Sequence, residues 1–302
     1  MISNTTGTRN TGIGAYALNG NTTAEANTAV GYSALQTNTT GLCNTAVGDE
    51  ALKDNTTANN NTAVGKISAT NNTTGTNNST LGFQSFFTNT TGSGNVAIGV
   101  NSLYANTTAS NNTAIGLSAL EANTTASCNT AVGKSALVTN TTGYNNTSVG
   151  VENMKQTTTA HSNTAIGFQA MCTTTTGHNN VSIGYNSISS SATAENEITL
   201  GNSGSNNLRC NDTSISSLSD LRDKKNIEDI PHGLDYILAL RPVKFDWNRR
   251  DGSFIGKKDY GFIAQELDQV ETDFDSAEYT RLVHKENPDK WEADPMKTYP
   301  IL

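Results

Sequence analysis

Residues 44–65 read NTAVGDEALKDNTTANNNTAVG, and the pentapeptide that opens this stretch returns seventeen residues later. The same step carries a glycine through Gly14, Gly31, Gly48, Gly65, Gly82, Gly99, Gly116, Gly133, Gly150, Gly167, Gly184 and Gly201 without an insertion. The consensus is NTAVGxxALxxNTTGxx. An aliphatic residue precedes every one of these glycines, from Ile13 and Val30 to Ile183 and Leu200. A second apolar column stands four residues after the glycine: Leu18, Leu35, Leu52, Ala69, Phe86, Leu103, Leu120, Leu137, Met154, Met171 and Ile188. A polar triplet such as Asn38-Thr39-Thr40 begins seven residues after it.

Strict repetition at this period marks a stacked array, in which each unit buries its seam only against its neighbours. The T-A-V segment alternates, so its first and third side chains share one face of a short strand. At Val96/Ile98, Val181/Ile183 and Ile198/Leu200 both positions of that face are apolar. Glycine then permits a bend. The Asn-Thr-Thr triplet is turn chemistry, because Asn tolerates unusual dihedrals and bonds nearby backbone. Each repeat therefore reads as two short extended pieces and two turns. Twelve rungs at about 4.8 Å make a rod on the order of 55–60 Å long. Disorder does not require two unbroken apolar columns, and Asn, Thr and Gly are poor helix formers. The fold class expected is mainly β, a parallel β-roll or β-solenoid followed by a small α+β domain. The seam is thin for a single chain, and three parallel copies around a common axis would cover it.

Composition agrees with a repeat and not with a large globular core: 34% of residues are hydrophobic, 6% aromatic, and the net charge is -8. Residues 1–204 carry five Lys/Arg and eight Asp/Glu, and the last 98 residues carry the other fourteen and nineteen. The expected organisation is a repeat shaft over 1–204, a linker over 205–218 and a second domain over 219–302. No basic stripe suggests a nucleic-acid partner. No apolar run reaches transmembrane length, so membrane insertion is not expected. The opening MISNTTGTRNTGIG lacks a signal-peptide apolar region. Cys43, Cys128, Cys172 and Cys210 form no metal-binding pattern and read as free thiols, as in a protein assembled in a cytoplasm.

NTAVG, NVAIG and NTAIG are similar to the head repeats of trimeric autotransporter adhesins, whose consensus contains a related S-V-A-I-G core. That resemblance implies a left-handed parallel β-roll in a homotrimer. The family's period is shorter than seventeen, so a triple β-helix is the alternative winding.

From Ser219 the sequence changes character: SDLRDKKNIEDIPHGLDYILALRPVKFDW, then KKDYGFIAQELDQV. Pro231 suits a first helical turn. HGLDYILAL presents Leu234, Ile237, Leu238 and Leu240, and Arg241-Pro242 ends the helix. Val243, Phe245 and Trp247 alternate as a strand, RRDGS is a turn, and Tyr260–Ala264 reads as a second strand leading into a short helix through Gln265 and Glu266.

This region resembles the C-terminal intramolecular chaperone domain of phage endosialidases and tail fibres. The S-D-x-R-x-K hallmark is met by Ser219, Asp220, Arg222 and Lys224, followed by Asn226-Ile227, and G-F-I-A-Q-E by Gly261–Glu266. The resemblance implies a domain that trimerises its fibre during folding and then cleaves itself off. It assigns Ser219 as nucleophile, Lys224 as base, Asp220 and Arg222 as supporting residues, and Leu218–Ser219 as the scissile bond. A serine hydroxyl needs such a base, and lysine serves as one only when burial or nearby cations depress its pKa. Arg222 and Lys225 are the candidate cations. The family continues into a trimeric coiled-coil helix, and the chain, ending MKTYPIL, is expected to stop short of it.

Other candidates read as structural. His161, His178, His232 and His284 lack helical ligand spacing, and Asp49-Glu50 reads as solvent-facing. The Asn-x-Thr triplets read as turns and ladders rather than glycosylation sites. No cofactor or metal is implied. The leading expectation is a virion tail fibre that binds a host-cell surface receptor, assembled in the host cytoplasm. A cellular adhesin of the autotransporter kind is the second class. An ice-binding solenoid is the third, because Thr28, Thr45, Thr62, Thr113 and Thr130 stack in register.

Overall fold

A computed structural model describes residues 2–205, 225, 233–248, 250, 255–285 and 291–293. The chain forms two compact units, Met1–Asn202 and Ser203–Leu302.

The first unit is a parallel β-solenoid. Each rung contributes one three-residue strand, from β1 (Thr11–Ile13), β2 (Thr28–Val30) and β3 (Thr45–Val47) to β11 (Val181–Ile183) and β12 (Ile198–Leu200). The twelve strands pair in sequence order as one sheet, β1 to β12. Each pairing is shifted by one repeat, as in Thr45↔Thr62, Ala46↔Ala63 and Val47↔Val64. The intervening strands are β4 (Thr62–Val64), β5 (Ser79–Leu81), β6 (Val96–Ile98), β7 (Thr113–Ile115), β8 (Thr130–Val132), β9 (Thr147–Val149) and β10 (Thr164–Ile166).

The invariant glycine has two independent causes. Its φ lies between +127° and +144° from Gly14 to Gly184, where L side chains are strained. A Cβ on Gly116 would also stand 2.6 Å from the carbonyl carbon of Gly133 in the next rung.

The second extended piece expected in each repeat is absent. The segment after the glycine passes through two left-handed residues, Ser33 (φ 52°) and Leu35 (φ 51°) in the second rung, which curl it back. Rung-to-rung bonding persists there nonetheless, through Leu35 N–H to Ala51 O at 3.0 Å and Thr37 N–H to Lys53 O at 3.0 Å.

The interior is narrow and partly polar. The column four residues after the glycine is buried from Leu18 to Met171, as its apolar register implied. Ile188, in the last turn, is 37% exposed instead, where the chain departs from the regular course. The strand's middle residue is the one that points inward: Ala29, Ala46, Ala63, Ala97, Ala114, Ala131 and Ala165 are fully buried. The aliphatic residue before the glycine therefore shares the outer face with the strand's first residue. Ile98, Ile115 and Ile183 are 37–41% exposed. The expected apolar seam thus lies partly on the outside. With a period of two, a three-residue strand can turn either its middle residue or its two ends inward, and a seventeen-residue turn leaves room for alanine.

Substitutions within the repeats show which columns meet across the interior. In the rungs of β5, β9 and β11 the inward strand residue is polar, and so is the residue three after the glycine. Ser148 Oγ donates to Asn153 Oδ1 at 2.8 Å, Ser182 Oγ to Ser187 O at 2.6 Å, and Ser68 Oγ lies 2.7 Å from Thr80 Oγ1 and 2.9 Å from Ser85 Oγ. Each hydroxyl is satisfied by its facing partner, as buried polar groups must be.

Two asparagine ladders line the remainder. The triplet asparagines from Asn21 to Asn140 are fully buried. Asn55 Nδ2 donates to Asn38 Oδ1 at 2.9 Å in the rung before and to Ala58 O at 3.2 Å, three residues on. The asparagines that precede strands β1 to β11 form the second ladder: Asn44 N–H donates to Asn27 Oδ1 at 2.9 Å, and Asn44 Nδ2 to Ala58 O at 2.8 Å. The triplet asparagine bonds nearby backbone, as its turn chemistry implied, while a left-handed dihedral sits at the residue just before the asparagine that precedes the strand, as at Asn60 (φ 59°) and Asn111 (φ 60°).

The second unit, among the described residues, contains α1 (Leu234–Ala239), β13 (Val243–Asp246), β14 (Lys258–Gly261), α2 (Ala264–Asp273), α3 (Ala277–Thr280), β15 (Val283–His284) and β16 (Glu292–Ala293). β13 and β14 form an antiparallel hairpin with Phe245 opposite Asp259. The helix expected to be short runs ten residues. Tyr236, Leu267 and Leu282 form the buried centre, with Ile237, Leu240, Phe262 and Phe274 packed around it. Of the apolar residues expected to define α1's inner face, Leu234 and Leu238 are 71% and 74% exposed, and Tyr236 takes the interior place.

Candidate functional site

The residues on which self-cleavage would rest, Leu218, Ser219, Asp220, Arg222 and Lys224, lie outside the described residues, as do Asn226, Ile227, Pro231 and Cys210. The candidate cation Lys225 is exposed. The second motif, Gly261–Glu266, is fully described, and each part of it has a structural task. Gly261 closes β14 opposite Val243, with Phe245 3.4 Å from where a Cβ would stand. Phe262 packs on the buried Tyr236–Leu267–Leu282 centre. Ile263 leads into α2, and Glu266 lies in that helix's first turn, where a carboxylate is favoured by the exposed N–H groups.

Glu266 is also bound by a fork from Arg241, just beyond α1. Arg241 Nε donates to Oε2 at 2.9 Å and Nη2 to Oε1. The guanidinium holds the Glu266 carboxyl below the ordinary glutamate value, and Arg241 is raised in return. This planar two-bond pairing is the arginine-specific one. A shallow recess between the two elements is lined by Ala239, Arg241, Phe262, Ile263, Glu266, Leu267 and Val270.

Two further polar anchors complete the unit. The buried Glu271 accepts from Thr280 Oγ1 at 2.6 Å and from Leu282 N–H at 2.6 Å, tying α2 to α3 and β15. Asp259 accepts from Trp247 Nε1 at 3.2 Å, which depresses its carboxyl pKa. Sequence reading missed Glu271, since one more acidic residue on a charged helix carries no signal of burial.

In the solenoid, Cys43 and Cys128 are exposed free thiols, and burial pushes up the pKa of the partly buried Cys172. His161 and His178 are one repeat apart, which is the rung spacing. His161 is stacked between Tyr144 and His178, with ring centroids 4.8 Å apart on each side. Helical spacing was the wrong ruler for them. His178 Nδ1 lies 3.2 Å from Glu195 Oε1. Among the described residues no group of three His, Cys, Asp or Glu is placed to hold a metal ion, and no helix is long and apolar enough to cross a membrane.

The chain is thus a parallel β-solenoid followed by a small α+β unit. Residues 219–277 match the family model described as the chaperone of endosialidase. The match begins at Ser219 and runs through α1, the β13–β14 hairpin, the Arg241–Glu266 fork and α2. No curated protein and no solved structure matches the chain.

Proposed function

We propose that this chain is the shaft and C-terminal end of a viral or phage tail fibre, a homotrimer that attaches the virion to a host-cell surface receptor. In this reading the C-terminal segment acts as an intramolecular chaperone, bringing three chains together and then severing itself from the shaft. The observation that carries it is the juxtaposition within one chain of a twelve-strand solenoid and, directly after it, a chaperone-type segment whose match begins at Ser219.

The cleavage chemistry balances. Lys224, as the free amine, takes the proton of the Ser219 hydroxyl. The Ser219 oxygen attacks the Leu218 carbonyl carbon, and the Leu218–Ser219 C–N bond breaks as the C–O bond forms. The released Ser219 α-amine takes the proton back, and water hydrolyses the ester to a Leu218 carboxylate and the restored Ser219 hydroxyl at the start of the second fragment. No external substrate or cofactor is needed.

Intact mass under denaturing conditions, alongside native mass, tests both parts. The expected result is a trimer whose chains have split into fragments 1–218 and 219–302. Ser219→Ala and Lys224→Ala should each abolish the split, because nucleophile and base act as a unit. Trimerisation should survive Ser219→Ala. The decisive version appends a trimeric coiled coil after Leu302, so that association of the three chains is assured. Absence of Ser219-dependent cleavage there sinks the assignment.

The stacked threonines support a second reading. Thr28, Thr45 and Thr62 pair in register on the outer face, as an ice-binding surface requires. Thermal hysteresis in a solution of the protein would favour that reading over the fibre.

A further inference from the structure

The outer face of the solenoid carries an apolar stripe that the fold itself does not use. It consists of the residue before each glycine and the residue after it, two ridges flanking a furrow of half-buried glycine backbone. The stripe runs from Leu81/Phe83 to Ile115/Leu117 and again from Val149/Val151 to Ile183/Tyr185, with each of these side chains 36–66% exposed. Phe168 and Tyr185 stack along it, ring centroids 5.6 Å apart. Six rungs, those of β5–β7 and β9–β11, carry such a pair. Lys134 divides them into two exposed apolar patches of three rungs each on the same face.

We propose that this stripe is the seam along which copies of the chain pack on one another, parallel and in register. The proposal rests on the trimeric-fibre reading and adds the surface. Two features select a second copy as the occupant. The ridges and furrow recur at every rung, about 4.8 Å apart, and only a partner with the same period matches them along their whole length. A ridge of one copy can also enter the glycine furrow of the next. The stripe carries its own register mark: Lys134 replaces the apolar residue between Leu117 and Val151. In register the three Lys134 side chains share one level, where their stems lie along the seam and their ammonium groups reach the rim. A slip of one rung would press Lys134 against Leu117 or Val151 of a neighbour. Nearer the N-terminus the column is charged, with Lys66 Nζ 3.4 Å from Asp49 Oδ2, and the stripe narrows to the pre-glycine ridge.

The test uses the full chain with its four cysteines changed to serine. Ile115→Cys on the seam and Thr125→Cys on an exposed surface elsewhere are each treated with a short bis-maleimide. Cross-links between copies are expected at position 115 and not at 125. In parallel, Ile98→Glu with Leu117→Glu is expected to convert the trimer to monomers in sedimentation velocity, while Thr108→Glu with Thr125→Glu leaves it intact. A trimeric protein that cross-links at 125 and not at 115 overturns the seam and leaves the fibre reading standing. An unmodified chain that sediments as a monomer overturns the trimer and the seam together.

Discussion

Asn72→Ala removes one member of the buried ladder and provides a quantitative test of the solenoid's interior. Asn72 Nδ2 donates to Asn55 Oδ1 at 3.1 Å and to Gly75 O at 2.9 Å, and its Oδ1 accepts from Asn89 Nδ2 at 2.7 Å. Gly75 O keeps a second donor, Asn61 Nδ2 at 2.9 Å, and Asn89 Nδ2 keeps Gly92 O at 3.1 Å. Two groups are therefore orphaned: the Asn55 acceptor and one N–H of Asn89. A buried polar group left unpaired costs about 1–3 kcal/mol, so the loss from two such groups should be about 2–6 kcal/mol. With a urea slope of about 3 kcal/mol per molar, a mid-range loss lowers the unfolding midpoint by about 1 M. Thr74→Ala, two residues on and exposed, should stay within about 0.5 kcal/mol of wild type.

The ladder also supplies the reverse experiment. Asn140 Oδ1 is buried with no partner, because the next rung has Thr157, whose Oγ1 donates instead to Thr174 O at 3.1 Å. Thr157→Asn with Thr174→Asn extends the ladder to the exposed Ser191, and should stabilise by about 1–3 kcal/mol. An unchanged midpoint for Asn72→Ala, together with no gain from the double substitution, would refute the claim that the amide ladder holds the rungs.

Gly116→Ala must adopt φ near +135° with its Cβ 2.6 Å from Gly133. It should destabilise by about 3 kcal/mol or more in thermal melts, whereas Ala→Gly at an exposed position should not. Ser148→Ala and Asn153→Ala should each destabilise, but the pair should recover much of the loss, because it restores the alanine–alanine facing of other rungs. A double-mutant cycle should read a coupling of about 1–2 kcal/mol. Pairing lowers the folded-state pKa of Glu266, so its stabilisation is present above the ordinary glutamate value of about 4.3 and is lost as pH falls through the lower folded value. Arg241→Ala should move the Glu266 titration, followed by NMR, back up toward that ordinary value.

The seventeen-residue step alone determined the solenoid, its parallel register and the number of rungs, since only a stacked array makes use of columns that recur without a break. It also determined the buried Leu18-to-Met171 column. In the second unit, alternation located β13, and the Gly261–Glu266 motif marked the start of α2. Which face of each strand turns inward was decided by the tertiary structure. Thr, Ala and Val alternate equally well either way round, and the choice depends on how much volume a closed seventeen-residue turn leaves inside. The same closure buried the asparagines, which local sequence marks as turn residues, by placing each one within reach of its counterpart a rung away. It brought Ser148 to Asn153, Tyr144 to His161, and His161 to His178, through distances that exist only once the chain has wound. Glu271 belongs with them. Its burial depends on Thr280 and Leu282 folding back over α2 to offer two donors, and nothing at position 271 itself announces those partners.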